Sequence, residues 1–560
     1  MPLLTLHDPV VAKRYHDHGL WRDEGLYDHA ARQAKMIPDA NALRDSCRRL
    51  TWRQLERWAR AIANALAETG LKLGDRVAMA LSNRAESVAV MLACSRNGYI
   101  CSPSLHRNYT SLEMLSLVHE LDAAAVIVEE EWSADGSDLI KLLQETDPNV
   151  ACFSISKERK LSKDFPGWEE QDVDNSEYRS LGADKICYVA FTSGTTGTPK
   201  GVMHSDNTIL ANARDLVSDW CHSRDTVLLS LSPLSHHIAW VGFAQALIAG
   251  AEFVVNDPLE GMDSFDWMEE VRANYVMGVP THAIDLLAQQ REKCLDSFGS
   301  VKVFYMAGAP ISRSTAEEFI LQGVTPQNVY GMTENSSHQY THPGDDTDII
   351  VGTCGRGGPS YQVKIFDPED NAVSMAVGNV GEIGGRGAAL MLGYFGDQKS
   401  TEISFNRDGW FMSGDLGRLD AAGNLEIVGR VKDIIIRGGR NIHPRKIEDL
   451  AVRHPSIEKA AVIPVKDSRL GEKVCLIIVP SGDELPDPDM VLRHLYSSGL
   501  SAYDMPEYYA ALAEFPLTAS GKILKRALLQ QMNHGDFAPT SVRFNASLNT
   551  TTVSGEGGDC

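Results

Sequence analysis

A loop of glycines, hydroxyls and one lysine between positions 191 and 201 carries the clearest chemistry in the sequence. It reads Phe-Thr-Ser-Gly-Thr-Thr-Gly-Thr-Pro-Lys-Gly. Glycines let backbone amides turn toward an anion, hydroxyls donate hydrogen bonds to it, and Lys200 adds positive charge. The loop is not a P-loop, which needs Gly-Lys-Ser/Thr, because Pro199 precedes the lysine and Gly201 follows it. These residues predict a phosphate-binding site in preference to a plain surface loop.

The elements that must position this loop are predicted from hydrophobic periodicity. Residues 186–190 form an apolar run that predicts a buried strand leading into the loop. Similar runs at 76–81, 123–128, 226–231, 252–255, 275–279 and 301–306 alternate with helix-like segments, such as 55–66 before Gly70. This alternation predicts parallel sheets covered by helices on both faces. Short glycine-rich strands after Gly352, at 362–366, 381–385 and 424–428, predict a small barrel or distorted sheet.

The predicted fold class is therefore α/β. A large N-terminal domain over residues 1–428 combines parallel αβα-layered sheets with a small β-barrel-like subdomain. Residues 434–533 predict a small α+β C-terminal domain of about 100 residues. Residues 534–560 are polar and rich in Gly, Ser and Thr, which predicts a disordered tail.

Composition excludes several classes of function. The net charge of −22 repels nucleic acid and anionic membrane, so an anionic substrate must be held by a local positive site. The ten cysteines form no Cys-x-x-Cys pair, so neither a zinc knuckle nor a redox motif is expected. No signal peptide or apolar run of about 20 residues is evident. We therefore expect a cytoplasmic protein without a membrane span, whose oligomeric state is open.

Four later motifs follow the loop. They are Tyr-Gly-Met-Thr-Glu at 330–334, Gly-Trp-Phe-Met-Ser-Gly-Asp at 409–415, Gly-Arg-Val-Lys-Asp at 429–433 and Ser-Gly-Lys at 520–522. With the loop, in this order, they resemble the acyl-adenylate-forming superfamily of acyl- and aryl-CoA ligases, nonribosomal-peptide adenylation domains and luciferases. The resemblance spans roughly residues 190 to 525. It implies that a carboxylate attacks the α-phosphate of ATP and that pyrophosphate leaves.

The resemblance implies a role for each phosphate-side residue. Thr333 and Glu334 match positions that contact the α-phosphate and Mg²⁺, and a carboxylate beside a triphosphate needs such a cation between them. The β- and γ-phosphates would be bound by loop residues, namely Thr192, Ser193, Gly194, Thr195, Thr196 and Lys200.

The nucleoside has its own set of implied residues. A flat backbone turn and the Tyr330 ring would sandwich adenine. The turn consists of Gly308, Ala309 and Pro310. Asp415 matches a ribose-binding aspartate, and Arg430 matches an arginine that contacts ribose and phosphate.

The C-terminal part is implied to act in both half-reactions. Lys522 matches the lysine that stabilises the pentacoordinate phosphorus during adenylation. Residues 429–433 match a hinge centred on Lys432, about which the small domain rotates to admit CoA. Residues 437–441 match the loop that lines the thiol tunnel, where Gly439 would let the pantetheine arm pass close to the backbone.

Residues 231–240 match the segment that lines the acyl pocket. Adjacent His236 and His237 lack the i, i+4 spacing of a helical metal site, so a pocket gate is favoured, with His237 or His236 beside the substrate carboxylate. Trp240 is either a wall of the pocket or an ordinary core ring. The segment His204-Ser205-Asp206 departs from the family's commoner His-Thr/Ser-His, as Gly387-Ala388-Ala389 departs from its usual Gly-Pro.

We conclude from the sequence that the protein is an AMP-forming carboxylic acid–CoA ligase. Its largely apolar pocket segments indicate a medium-sized hydrophobic acid, whether fatty, alicyclic or aromatic. The alternative is a stand-alone ligase that loads a carrier protein in natural-product biosynthesis. The sequence contains no Gly-x-Ser-x-Gly nucleophile elbow, which argues against a hydrolase. The presence of Lys522 and Glu334 argues against a non-catalytic nucleotide-binding protein.

Overall fold

A computed structural model describes residues 8–159, 165–168, 180–192, 199–482, 484–517 and 523–544. The chain divides into two compact units. The first consists of Met1–Lys364, Gly384–Met412 and Leu419–Glu426. The second consists of Ile365–Ile383, Ser413–Arg418 and Ile427–Cys560.

The strands of the described residues, in chain order, are β1 Asn41–Arg44, β2 Arg49–Thr51, β3 Arg76–Ala80, β4 Ile100–Ser102, β5 Ala123–Glu129, β6 Ala151–Ile155, β7 Ile186–Thr192, β8 Lys200–Ser205, β9 Val227–Ser230, β10 Glu252–Val255, β11 Tyr275–Gly278, β12 Val303–Ala307, β13 Thr325–Met332, β14 Ser336–Tyr340, β15 Tyr361–Phe366, β16 Gly381–Gly387, β17 Phe411–Leu419, β18 Leu425–Arg430, β19 Ile435–Arg437, β20 Arg440–Ile442, β21 Ile457–Asp467, β22 Gly471–Pro480, β23 Tyr508–Ala511 and β24 Thr540–Ser541.

The helices are α1 Pro9–Asp17, α2 Leu26–Met36, α3 Trp52–Glu68, α4 Ala85–Asn97, α5 Ser111–Leu121, α6 Leu139–Thr146, α7 Asp206–Asp219, α8 His237–Ala249, α9 Ser264–Glu270, α10 Pro280–Glu292, α11 Arg313–Leu321, α12 Thr347–Gly352, α13 Gln398–Ile403, α14 Pro444–Ala451, α15 Pro488–Ser497 and α16 Lys525–His534. Two 3₁₀ turns, Val431–Asp433 and Ala502–Asp504, join elements of the second unit.

Two mostly parallel sheets organise the first unit. The six-stranded sheet has the order β6-β5-β3-β4-β7-β8, and the eight-stranded sheet has the order β14-β13-β12-β11-β9-β10-β1-β2. Both end in an antiparallel hairpin that carries predicted site residues, β7–β8 in one and β13–β14 in the other. The predicted parallel α/β architecture is confirmed. The structure also confirms the strand predicted at 252–255 and extends the helix predicted at 55–66 to Trp52–Glu68.

Helix α3 shows how the sequence builds these layers. Thr51 caps its N-terminus by accepting the backbone N–H of Gln54, while the Gln54 side chain accepts the N–H of Thr51. Its apolar residues recur at helical spacing, and Trp52, Trp58 and neighbouring aliphatic residues are buried in the main core cluster.

The second unit contains its own sheet, in the order β20-β19-β22-β23-β24, with β21 paired to β22. Two core clusters cover the sheet, one of them packed beneath α14 and α15. The glycine-rich strands β15 to β18 form a four-stranded sheet in sequential order, so of the two predicted forms the structure has a sheet.

The prediction that a disordered tail begins at residue 534 is wrong. Residue 534 is still helical, and Thr540 and Ser541 of β24 pair with Tyr509 and Tyr508 of β23. The Phe544 ring then packs against Tyr496 at a centroid distance of 4.8 Å. Apolar contacts and ladder hydrogen bonds therefore order this stretch despite its polar composition. The rest of the tail, 545–560, lies outside the described residues.

A buried ion pair joins the N-terminal helices to the sheet that carries the phosphate loop. Lys185, just before β7, lies 2.6 Å from the fully buried Asp206 at the start of α7. Asp206 also accepts hydrogen bonds from the Leu26 amide at 2.7 Å and from Ser95 at 2.8 Å. The aspartate at position 206, where the sequence departs from the family pattern, therefore has a structural role, because its carboxylate is buried and bound by these three partners.

Several buried histidines of the first unit have lowered pKa values. Burial lowers the pKa of His106 and His204 to about 4 and that of His29 and His338 to about 3, and it lowers that of His237 well below its usual value.

We predict that acid destabilises the first unit through these rings. Since their folded pKa lies below the unfolded value of about 6.5, their contribution is complete above pH 6.5 and is lost as the pH falls toward 4. Each ring contributes about 1.4 kcal/mol per pH unit in that window. Melting temperatures between pH 7.5 and 4 measure this slope. His338→Phe should make it shallower, and an unchanged slope in that variant would contradict the assignment.

Candidate active site

The predicted phosphate loop closes the hairpin between β7 and β8. Thr192, the last residue of β7, pairs with Lys200, the first residue of β8, and the Thr192 hydroxyl lies 3.5 Å from the Lys200 carbonyl. Both residues are half-buried. Ser193, Gly194, Thr195 and Thr196 lie outside the described residues. The structure thus describes the two ends of the loop, which lie side by side.

A second tight hairpin carries Thr333 and Glu334. They lie in the turn between β13 and β14, where the Asn335 side chain accepts the Met332 amide at 3.0 Å. A Cβ added to Gly331 would lie 1.7 Å from the Ser336 carbonyl oxygen, and Ser336 itself adopts a φ of +58°. Because the two strands approach so closely, the backbone of this turn has little room to move.

Two stacked histidines hydrogen-bond to residues of this turn. His204 of β8 lies with Nε2 2.6 Å from the Thr333 carbonyl, and its ring stacks on His237 at 4.9 Å and 13°. The Nε2 atom of His237 lies 2.9 Å from the Ser336 hydroxyl. Each histidine therefore holds one end of the turn, and His204 links it to the strand that follows the phosphate loop.

The two adjacent histidines predicted at the acyl pocket differ in burial. The residue is only 7 % exposed, and its Nδ1 atom is buried without a hydrogen-bond partner among the described residues. His236 is half-buried and stacks on His106 at 4.8 Å. His237 thus contacts the turn, and His236 has more accessible surface; which of the two rings lies beside the substrate carboxylate stays a prediction.

Tyr394 brings the predicted cation and the predicted carboxylate together. The Lys200 Nζ atom lies 4.7 Å from the centroid of the Tyr394 ring, a cation–π arrangement. The Tyr394 hydroxyl donates a hydrogen bond to Glu334 Oε1 at 2.9 Å. Sequence reasoning missed this residue, because one tyrosine in the apolar stretch 391–395 is indistinguishable from a core ring. Its only signal is a glycine directly before it.

The predicted nucleoside residues follow two adjacent parallel strands. Gly308, with a φ of +90°, begins the turn after β12, and Ala309 and Pro310 are exposed. Tyr330 near the end of β13 is half-buried, and its ring meets that of buried His338 edge-on at 5.3 Å and 78°. Because β12 and β13 pair in parallel, this turn and Tyr330 lie at the same edge of the sheet.

The remaining predicted residues belong to the second unit. Asp415 is 7 % exposed and pairs with Arg430, whose Nε lies 3.0 Å from Asp415 Oδ1, so the two predicted ribose ligands are neighbours. Gly439, with a φ of +83°, lies in the exposed turn between β19 and β20. Lys432 lies in the 3₁₀ turn Val431–Asp433. Lys522 lies outside the described residues.

The predicted acid segments follow β9 and β11. These strands are adjacent and parallel, but the chain leaves β9 for β10 on one side and leaves β11 for β12 on the other. Such a reversal opens a crevice at the carboxyl ends of the two strands, which is where α/β sheets bind ligands. Residues 231–236 and Val279 follow these ends.

Comparisons with known proteins agree with this arrangement. The sequence model described as AMP-binding enzyme matches residues 30–395, and that of the AMP-binding enzyme C-terminal domain matches residues 446–522. The medium-chain fatty-acid–CoA ligase of Escherichia coli is 29% identical over 518 residues, covering 91% of each chain. A feruloyl-CoA synthase of Amycolatopsis is 30% identical over 512 residues, covering 90% of this chain and 98% of its own.

Solved structures show the same fold. The ATP-bound crystal structure of MatB from Rhodopseudomonas palustris superposes with a TM-score of 0.80 at 27% identity, covering 90% of this chain and 99% of MatB. The chain therefore belongs to the AMP-binding enzyme family. The predicted membership of the acyl-adenylate-forming superfamily is confirmed, as is the prediction of an AMP-forming acid–thiol ligase.

The described residues contain no helix long and apolar enough to cross a membrane. Within the same ranges, no group of three or more His, Cys, Asp or Glu residues could hold a metal ion.

Trp240 lies in the core of the first unit. Its ring is 2 % exposed in the main core cluster, and its N–H donates to the Leu234 carbonyl at 2.7 Å. This placement supports the core-ring alternative and not a pocket wall.

We predict that Trp240→Ala lowers stability by about 3–5 kcal/mol and reduces activity toward every acid alike. Melting temperature together with relative rates over a graded acid series tests this. Ile238→Ala, which changes a half-buried neighbour, serves as the comparison and should cost less stability. A Trp240→Ala protein with normal melting and a shifted acid preference would restore the pocket interpretation.

Proposed function

We propose that the protein activates a medium-sized hydrophobic carboxylic acid with ATP and transfers the acyl group to CoA, releasing pyrophosphate and AMP. One observation carries the proposal. Lys200 and Glu334, separated by 134 residues in sequence, both contact Tyr394, so the cation and the carboxylate expected at a triphosphate lie at one place.

The adenylation step needs positive charge and a fixed geometry, because carboxylate and triphosphate are both anions. Lys200 and the hydroxyls and amides of residues 192–196 would bind the β- and γ-phosphates. Thr333, whose carbonyl is held by His204, would contact the α-phosphate from its own side chain and amide. The stacked histidines keep this turn in place while the reacting atoms align.

A magnesium ion fits the residues that are present. A protein site built from several acidic side chains is absent from the described ranges, whereas Glu334 offers one half-buried carboxylate held by a neutral hydroxyl. One carboxylate plus substrate phosphates is a common way for proteins to bind Mg²⁺. Glu334 would hold the ion, which when bound neutralises charge on the phosphates.

Different residues are proposed for the base and for the ribose of the nucleoside. Tyr330 and the turn of Gly308, Ala309 and Pro310 are proposed to sandwich adenine. Asp415 is proposed to accept the ribose hydroxyls, and Arg430, already oriented by that carboxylate, to donate to ribose and phosphate. The ion pair supports the second assignment, because it preorganises the guanidinium next to the sugar-binding carboxylate.

Lys522 and the thiol step are proposed to depend on rotation of the small domain, here taken as residues 434–533. In one orientation Lys522 would stabilise the charge that builds on phosphorus. After rotation about Lys432, in the hinge 429–433, the turn that contains Gly439 would admit the pantetheine arm of CoA. The positive φ and exposure of Gly439 support this, because a side chain there would be strained and would narrow the passage.

The acid is proposed to bind in the crevice after β9 and β11. Apolar residues line these segments, with Leu234 before α8 and Pro280 and Ala283 at the start of α10. No histidine pair with metal-site spacing occurs there, and His236 is proposed to lie beside the carboxylate. The names of the two relatives described above, a medium-chain fatty-acid–CoA ligase and a feruloyl-CoA synthase, support an acid of this kind.

We predict pyrophosphate release from ATP only in the presence of a hydrophobic acid, and an acyl-CoA thioester when CoA is added. A panel of straight-chain, alicyclic and aromatic acids, with phosphate detection and mass spectrometry, measures both steps. Pyrophosphate release without any thioester would favour a carrier-protein acceptor. No release with any acid would contradict the proposed function.

We predict that Lys522→Ala lowers acyl-AMP formation by about 10²–10³-fold, because the lysine acts when charge develops on phosphorus. Thioester formation from supplied acyl-AMP should be unchanged. Single-turnover assays of each half-reaction measure this, with the exposed Lys459→Ala of the same unit as the control. Equal losses in both half-reactions would contradict the role.

A further inference from the structure

The backbone around Tyr394 is fixed on both sides. On one side, the amides of Leu392 and Phe395 donate to Met203 and Gly201 of β8, at 2.8 and 2.7 Å. On the other, the Met391 amide donates to the carbonyl of Glu334 at 2.7 Å. The stretch 391–395 therefore lies between the strand that follows the phosphate loop and the turn that carries the predicted carboxylate.

The side chain is fixed as well. Tyr394 is 7 % exposed, and its amide donates to the Thr401 hydroxyl at 2.9 Å. Burial and the neighbouring Glu334 carboxylate raise the pKa of Tyr394 above its usual range, so the hydroxyl keeps its proton and remains a donor. The ring faces Lys200, and the hydroxyl hydrogen-bonds Glu334 with Ser404 as a further neighbour.

We propose that Tyr394 is a positioning residue for ATP, whose ring places the Lys200 ammonium and whose hydroxyl places the Glu334 carboxylate. Tyr394 contacts Lys200 and Glu334, and these two groups are proposed to touch the triphosphate. Tyr394 would therefore act on ATP through them. The inference rests on the proposed function and adds to it a residue that none of the sequence motifs contains.

The geometry gives a reason for such a residue. Lysine and glutamate side chains are long, and when close together they would pair with each other and leave the triphosphate. The Tyr394 ring and hydroxyl are uncharged, so they can orient the ammonium and the carboxylate without neutralising either of them.

Two substitutions separate the two contacts. Tyr394→Phe keeps the ring beneath Lys200 and removes the hydrogen bond to Glu334, and we expect ATP with Mg²⁺ to bind about tenfold more weakly. Tyr394→Leu also removes the aromatic face, and a further loss of about threefold is expected. Calorimetric titration with ATP and Mg²⁺ measures these dissociation constants without turnover.

A matched control is available in the same unit. Tyr340 also donates to a carboxylate, Asp219 Oδ2 at 2.7 Å, and is fully buried at the far end of β14. Tyr340→Phe should lower the melting temperature at least as much as Tyr394→Phe while leaving the dissociation constant for ATP unchanged. Equal weakening of ATP binding by both substitutions would mean that Tyr394 is only structural, and would overturn the proposal.

A double-mutant cycle tests whether Tyr394 acts through Glu334. In a Glu334→Ala background the hydroxyl has no carboxylate to place, so adding Tyr394→Phe should change the dissociation constant for ATP by less than about twofold. A further tenfold loss in that background would overturn the proposal. The acid panel on the wild-type protein tests the proposed function separately, so failure of one is distinguishable from failure of the other.

Discussion

Parallel pairing of strands in the eight-stranded sheet determines where the functional segments of the first unit lie. Strands β9, β11, β12 and β13 are neighbours that run in the same direction, so the segments after them reach one edge of the sheet. The order across that edge is the crevice proposed for the acid, then the turn at Gly308, then the turn of Thr333 and Glu334. The sheet topology thus places the proposed acid and nucleotide segments at the same edge.

Individual side chains determine the charge at the candidate site, although the net charge of the chain is −22. The β7–β8 hairpin contributes Lys200, the eight-stranded sheet contributes Glu334, and Tyr394 contacts both of them. Behind them, His204 and His237 are neutral at physiological pH because burial lowers their pKa. A neutral imidazole can donate to the Thr333 carbonyl from Nε2 without adding a charge that would compete for phosphate.

Local patterns in the sequence were enough to predict most of the sheets. The run 252–255 is the observed β10, since a short apolar segment between turns leaves few alternatives. The same reasoning could not choose between His236 and His237. Adjacent residues at the start of a helix point in different directions, and only the fold determines which of them faces the core. Tyr394 was beyond reach for a related reason: its partners lie 60 and 194 residues away, and only the fold brings them together.

The close approach at Gly331 has a consequence for how such a chain can diversify. Any side chain there would overlap the Ser336 carbonyl, so the nucleotide end of β13 cannot drift by substitution without rebuilding the hairpin. The backbone of this hairpin is therefore expected to be inherited unchanged while side chains elsewhere in the chain vary.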